Sequence, residues 1–316
     1  MKRSAGFTLA EVVISIVVLG IVSVSFGVFI LPAITAQQDV QRRAVLVDAA
    51  ESALRRMSRD IRISLPNSVR LTNTIAGGSG FAVEMIPTAD GARYCTSGTA
   101  DCDATGELLI GSADLIFDVL GCFRNAAFAP TIIPTTFSTA AYRLVVGSTD
   151  SLIYTATGAS EVITPVGAVT SSIFPGTGAS PTQCGTLSGT ANTYNRHRIT
   201  LASHTFPTAS PRQRVFVIED AVAPVTYICN FSTGTLTRYA GYKNGLAYST
   251  GAQPTDPSVA PLAGLGRLVT ANISACNATS DEATVQTSAV VTLSLTLAQA
   301  GETVQLLKQV QIDNSQ

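Results

Sequence analysis

The chain has 316 residues, a formal net charge of −1 and only 13% charged residues. That length holds one large domain or two small ones, and the near-neutral balance excludes the broad basic field of a nucleic-acid surface. Hydrophobic content reaches 46% because one N-terminal segment contributes disproportionately. The remainder is rich in Thr, Ser, Gly and Ala, the composition of an extracytoplasmic, β-rich domain.

From Phe7 to Leu31 the sequence FTLAEVVISIVVLGIVSVSFGVFIL runs 25 residues with a single charge, Glu11. As an α-helix it measures roughly 37 Å, enough to cross a bilayer with some tilt. No later segment comes close. A charge at mid-bilayer costs roughly 2.5–3.5 kcal/mol on insertion scales, so Glu11 demands a reason. A cleaved secretory signal suits the basic start, Lys2 and Arg3. Its apolar core, however, spans only about 7–15 residues, and Ile34 disturbs the small-residue site at Ala33–Ala36. A plain membrane anchor suits the length, with Lys2 and Arg3 keeping the N-terminus cytoplasmic. It leaves Glu11 without a purpose.

A third reading supplies one. GFTLAE, Gly6 to Glu11, resembles the class III signal of type IV pilins and type II secretion pseudopilins. In that family an inner-membrane peptidase cuts on the cytoplasmic side of the apolar run, after the glycine, and methylates the new N-terminal residue. The resemblance implies a leader at 1–6, cleavage between Gly6 and Phe7, and N-methylation of Phe7. Glu11 becomes the fifth mature residue, an assembly contact that neutralises the free amine of a neighbouring subunit. A buried charge left alone is costly, whereas a paired one is tolerated and fixes register. Ala10 departs from the family, which usually carries a bulkier apolar residue there. The implied partners are other pilins or pseudopilins, the prepilin peptidase/methyltransferase and an inner-membrane assembly platform. The implied location is a single pass of the inner membrane, head periplasmic, with assembly into a pilus or pseudopilus.

The helix is expected to continue. Pro32 removes one helical hydrogen bond and favours a kink. Beyond it 36–64 reads as amphipathic helix: Val40, Val47, Leu54 and Ile61 recur every seven residues, with Ala50 and Met57 beside them. The dipeptide Leu65–Pro66 ends it. A continuous helix over 7–64 would measure roughly 87 Å. Arg55, Arg59 and Arg62 form a basic strip, either a contact for anionic partners or a solvated face eased by a Glu51–Arg55 pair.

From 66 to 316 a globular head follows, with short alternating or β-branched runs at 81–86, 114–120, 142–147, 214–219, 225–229, 235–239, 288–298 and 302–312. The segments at 230–234 and 298–302 read as hairpin turns. Segments 73–80, 155–190 and 249–266 read as loops. The class is α+β: one long N-terminal helix packed on a mainly antiparallel β-sheet head. Six cysteines, Cys95, Cys102, Cys122, Cys184, Cys229 and Cys276, form no C-x-x-C pair, which argues against a zinc ribbon or thioredoxin motif and for disulfides in an oxidising compartment. Their pairing is open in principle. The short Cys95–Cys102 loop is the simplest, with Cys229–Cys276 and Cys122–Cys184 completing the set.

The stretch ALRRMSRDIRISLPNSVR (53–70) resembles the end of the N-terminal helix in J-type minor pseudopilins. It is most similar to the minor pilin O group of MSHA (mannose-sensitive haemagglutinin) pili. The order VTYICN, TLTRY, Ile273–Cys276, VVTLSLTL and GETVQLLKQVQIDN resembles the same group. A J-type head is usually shorter, which favours the pilus. No motif in the head points to catalysis or a cofactor. His197 and His204 lie seven apart on one expected strand and so on opposite faces. Asp101-Cys102-Asp103 lacks EF-hand spacing, and the glycines at 77–80 lack the spacing of a nucleophile elbow. The expected function is therefore non-enzymatic: a minor pilin, with a J-type pseudopilin and a glycan-binding tip subunit as its rivals.

Overall fold

The computed structural model describes residues 6, 8–98, 102, 105–125, 141–148, 151–154, 163–174, 194–242, 252–281 and 289–312. One α-helix, α1 (Leu9–Arg62), takes 54 residues and measures roughly 81 Å. It runs through Pro32 unbroken; Thr35 Oγ1 donates to the Pro32 carbonyl at 3.0 Å. The helix stops at Ile63, two residues short of the Leu65–Pro66 dipeptide expected to end it.

Among the described residues fifteen strands follow. They are β1 (Arg70–Ile75), β2 (Gly78–Met85), β3 (Asp90–Tyr94), β4 (Asp114–Leu120) and β5 (Tyr142–Val146). Next come β6 (Ile163–Pro165), β7 (Ala168–Phe174), β8 (Tyr194–His204), β9 (Arg214–Glu219) and β10 (Val225–Asn230). The last are β11 (Thr235–Ala240), β12 (Arg267–Thr270), β13 (Ile273–Ser280), β14 (Ala289–Gln299) and β15 (Glu302–Ile312). All the pairings are antiparallel, in sheets ordered β1-β2-β10-β11-β12, β13-β14-β15 and β6-β5-β9-β3-β4-β8-β7. The α+β expectation is met.

The first two sheets share a core with the upper helix. Alternation puts Phe81, Val83 and Met85 of β2, and Val291, Leu293, Leu295 and Leu297 of β14, on the faces that meet Leu46, Ala50, Ala53, Leu54, Met57 and Ile61. Burying each of Leu46, Leu54, Met57 and Ile61 is worth roughly 1.5–3 kcal/mol. The stripe expected from the heptad pattern holds from residue 46 upward but not at Val40, which is 68% exposed. The sheets that cover the helix do not reach that far down, so periodicity alone cannot bury it. Asp60 Oδ2 locks the helix sideways, accepting from the Tyr227 hydroxyl at 2.7 Å and Arg238 Nε at 2.8 Å. At the helix end, Leu65 N donates to the Ile86 carbonyl at 2.7 Å and Thr88 N to the Ile63 carbonyl at 2.8 Å.

The seven-stranded sheet is an insertion. Met85 of β2 pairs directly with Val225 of β10, yet the chain between them builds β3 to β9 around a separate core of Tyr94, Phe117, Val119, Leu144, Ile199, Val215 and Val217. Glu84 of β2, in the five-stranded sheet, is fully buried and paired with Arg70, and accepts from the Tyr242 hydroxyl at 2.7 Å. Burial raises its carboxyl above the ordinary range while Arg70 pulls the other way.

Two expected loops contain strands. Segment 73–80 is a tight hairpin joining β1 to β2, and 163–174 carries β6 and β7. Turn-forming residues there mark single turns rather than a whole loop. Cys95 is bonded to Cys102 and Cys229 to Cys276, with Cα–Cα distances of 5.5 and 6.6 Å. Cys122 is also disulfide-bonded; Cys184 lies outside the described residues. The Cys229–Cys276 bond staples β10 to β13, and so the five-stranded sheet to the three-stranded one. Closing its loop of 47 residues restricts the unfolded chain by about 4 kcal/mol. Replacing both cysteines by serine should therefore lower unfolding free energy by about 2–4 kcal/mol in urea titration; an unchanged midpoint contradicts the stapling role.

Candidate functional site

The chemistry-bearing end of the molecule is the start of α1. Thr8 is the N-cap, with extended backbone (φ −81°, ψ 151°). Its hydroxyl accepts from the Glu11 backbone N–H at 3.3 Å, and the Glu11 carboxylate accepts from the Thr8 N–H at 3.4 Å. This is a reciprocal capping box. The pair satisfies two orphan donors of the first turn and sets a negative charge at the positive end of the helix dipole. The T-x-x-E spacing is the sequence signal for it. Glu11 stands out in the sequence by its charge and its place in GFTLAE, whereas Thr8 is marked only by that T-x-x-E spacing.

The box engages Glu11 Oε2, and the side chain stays exposed among the exposed Leu9, Val12, Val13 and Ile14. A carboxylate held at a fixed azimuth on a bare apolar helix is placed to accept a cation from a partner. Gly6, one step outside, is exposed, has no neighbour within 4 Å of a Cβ built on it, and does not adopt a left-handed φ. Neither crowding nor backbone conformation requires glycine there. Phe7 lies outside the described residues.

The most apolar stretch of α1 is wholly unburied. Leu9, Ile14, Ile16, Leu19, Ile21 and Val24 each expose more than three-fifths of their surface. Long, apolar and uncovered, the segment has the properties of a bilayer-spanning helix or of a helix that packs against others of its kind.

Residues 1–26 match a family model described as the prokaryotic N-terminal methylation motif. That match supports a type IV pilin-like chain. It implies processing by a prepilin peptidase and assembly with other pilins, and with the apolar helix it is consistent with membrane anchoring. No curated protein and no solved structure matches the chain.

Elsewhere, among the described residues, no group of three or more His, Cys, Asp or Glu side chains is placed to hold a metal ion. Asp101 and Asp103 lie outside the described residues. The two histidines are buried in different surroundings. His204 meets the edge of Phe206, while His197 stacks on Phe123 and accepts from the Phe123 backbone N–H at Nδ1, 3.0 Å away. Among the described residues its Nε2 has no hydrogen-bond partner. Burial pushes His197 down to about 4, against a smaller pull from Asp90. The unfolded chain therefore takes up a proton that the folded chain refuses between about pH 6.5 and 4. The contribution is complete above pH 6.5 and lost as pH falls through that window, on the order of 3 kcal/mol. His197→Asn keeps an acceptor near the Phe123 N–H and removes the titration. Urea unfolding at pH 7, 6 and 5 should show a steep decline for the wild type and a flatter one for the variant; parallel curves contradict the assignment.

Proposed function

We propose that the chain is a structural subunit rather than an enzyme: a minor pilin of an MSHA-like type IV pilus, helping to initiate or cap the filament. It crosses the inner membrane once, N-terminus cytoplasmic and head periplasmic. The prepilin peptidase cuts between Gly6 and Phe7 and methylates Phe7, and Glu11 pairs with the new amine of a neighbouring subunit. One observation carries this reading. A single helix exposes Leu9, Ile16, Val24, Val28 and Ile34 and is covered by the head from Leu46 to Ile61, with a methylation motif over residues 1–26 at its exposed end. A subunit of that shape leaves its lower half for other helices to cover. The likeness of residues 53–70 and 225–312 to the MSHA minor pilin O group supports the particular machine, as does a head enlarged by a seven-stranded insert.

In the producing cell, deleting the gene should cut the pilin recovered by shearing at least ten-fold and leave secreted enzymes unchanged. Lost secretion with intact pili assigns the chain to a type II machine instead. Glu11→Ala should reproduce the piliation defect while the protein remains in the membrane at wild-type abundance; normal piliation removes the assembly role of Glu11.

A second reading, a tip subunit that binds a surface ligand, is favoured by the insert. Its two ends, Met85 and Val225, are paired neighbours, so β3 to β9 can be excised and the strands closed by a short turn without leaving the pilin core. The excised chain should still enter pili. Loss of attachment with normal piliation supports this reading, and unchanged attachment refutes it.

A further inference from the structure

On the inserted sheet, β3 and β9 pair with Gly91 opposite Phe216 and Arg93 opposite Arg214. Directly paired residues of antiparallel strands share a face, so these four lie together. The alternate positions Tyr94, Val215 and Val217 turn into the insert's own core. The four instead line an open pocket of about 390 Å³, with Asp90 beside them.

Two arginines directly opposite one another repel and destabilise a sheet. Both are exposed, and neither has an ion pair among the described residues. Arg93 is nevertheless held in place. Its Nη2 donates to Gln213 Oε1 at 2.9 Å, and Gln213 Nε2 donates to Thr96 Oγ1 at 2.9 Å. Gln213 sits at φ 58°, a left-handed backbone that is unfavourable for a residue with a side chain and recurs at ligand clamps. Beside the guanidinium pair the floor is apolar. The Phe216 ring lies over Gly91, where an added Cβ would stand 3.3 Å from the ring. Asp90 lies three strand residues from Arg93, roughly 10 Å away. Its Oδ1 accepts from the Gly91 N–H and its Oδ2 from the Arg124 and Asn125 N–H groups. Oδ1 keeps room for a further donor.

The cationic groove on α1, lined by Arg55, Arg59, Arg62 and Lys308, has causes within the chain. Glu51 holds Arg55 at 2.6 Å. The helix dipole favours Arg59 and Arg62 in the last turn. Lys308 stands on the edge strand β15, where a charge guards against stray pairing. None of these causes applies to Arg93 and Arg214, because β3 and β9 are interior strands of their sheet.

We propose that this pocket binds a carboxylated sugar. The arginine pair takes the carboxylate, as guanidinium groups suit its planar oxygens. One C–H face of the sugar ring rests on Phe216, and Asp90 accepts from a hydroxyl at the other end. A single anionic group, an apolar face and a hydroxyl, in that order, are what a hexuronic acid presents. An acidic peptide would use the arginines and leave Phe216 bare, and a run of phosphates would bring a second anion against Asp90. The inference deepens the second reading above and rests on it, because the site lies wholly in the insert.

The purified full-length chain, in a detergent without a sugar head group, is titrated with methyl glucuronoside, methyl glucoside and acetate. The glucuronoside should bind with a millimolar Kd, and the other two about ten-fold or more weakly, since each lacks half of the recognition. Arg93→Gln and Arg214→Gln should each weaken the glucuronoside about ten-fold, as loss of a charged hydrogen bond does. Arg212→Gln removes the same charge from the turn before β9, outside the pocket, and should change nothing. No saturation by the glucuronoside, equal binding of acetate or the glucoside, or an equal loss with Arg212→Gln overturns the site. The attachment assay of the excised chain reports separately. Specific binding alongside unchanged attachment leaves the site standing and removes the adhesive reading, whereas attachment that needs the insert without any saturable binding keeps that reading and removes this site.

Discussion

An apolar helix with one carboxylate near its start cannot be satisfied by water, and the protein's own head covers none of it. The most apolar stretch is bare, whereas the same helix from Leu46 to Ile61 is sealed under two sheets. The boundary between those halves sets everything else. Below it, α1 is stable only in lipid or against other helices. Above it, α1 is the central element of a folded head. Glu11 is the one charged side chain between Phe7 and Leu31, and the capping box with Thr8 fixes where it sits.

A helix that couples a membrane or filament to a head must not slip against the head. Three kinds of contact prevent it. Apolar packing supplies most of the free energy. Asp60, bonded to Tyr227 and Arg238, pins the helix to β10 and β11. The exchange of backbone bonds between residues 63–65 and 86–88 ties the helix end to the exit of β2. The Cys229–Cys276 bond then fastens together the two sheets that hold the helix. The seven-stranded insert leaves and rejoins that frame at neighbouring strand ends, and it packs on it where Val145, Ile153, Tyr154 and Ile218 meet Leu65 and Ile86.

Much of the frame was legible in the sequence, for a physical reason. Strands with one wet face and one dry face alternate in composition, and β4, β9, β14 and β15 lie within a residue of the runs read from alternation. Strands with few apolar residues and a register shift part-way, such as β1 (RLTNTI) and β13 (ISACNATS), carry no such regular pattern and do not stand out in the sequence. Nor does the insertion itself: β2 pairs with β10 across the whole inserted sheet, and nothing local announces so distant a partner. At the candidate site, Glu11 stood out because charge in an apolar run is costly, and Gly6 because it completes the motif. Val40 was expected in the core and is not, since periodicity shows which face a residue shares but not how far the covering sheets extend. Lys308 entered the cationic groove only through the fold, because β15 is remote from the arginine strip in the chain.

The proposed pilin role turns on where the bare helix begins in the cell. The most direct measurement is the mass of the N-terminal peptide from membrane-extracted protein. The account predicts a peptide that starts at Phe7 and is one methyl group heavier than its sequence. A peptide that keeps Met1, or one that starts near Gln37, contradicts it and leaves the charge of Glu11 without a partner.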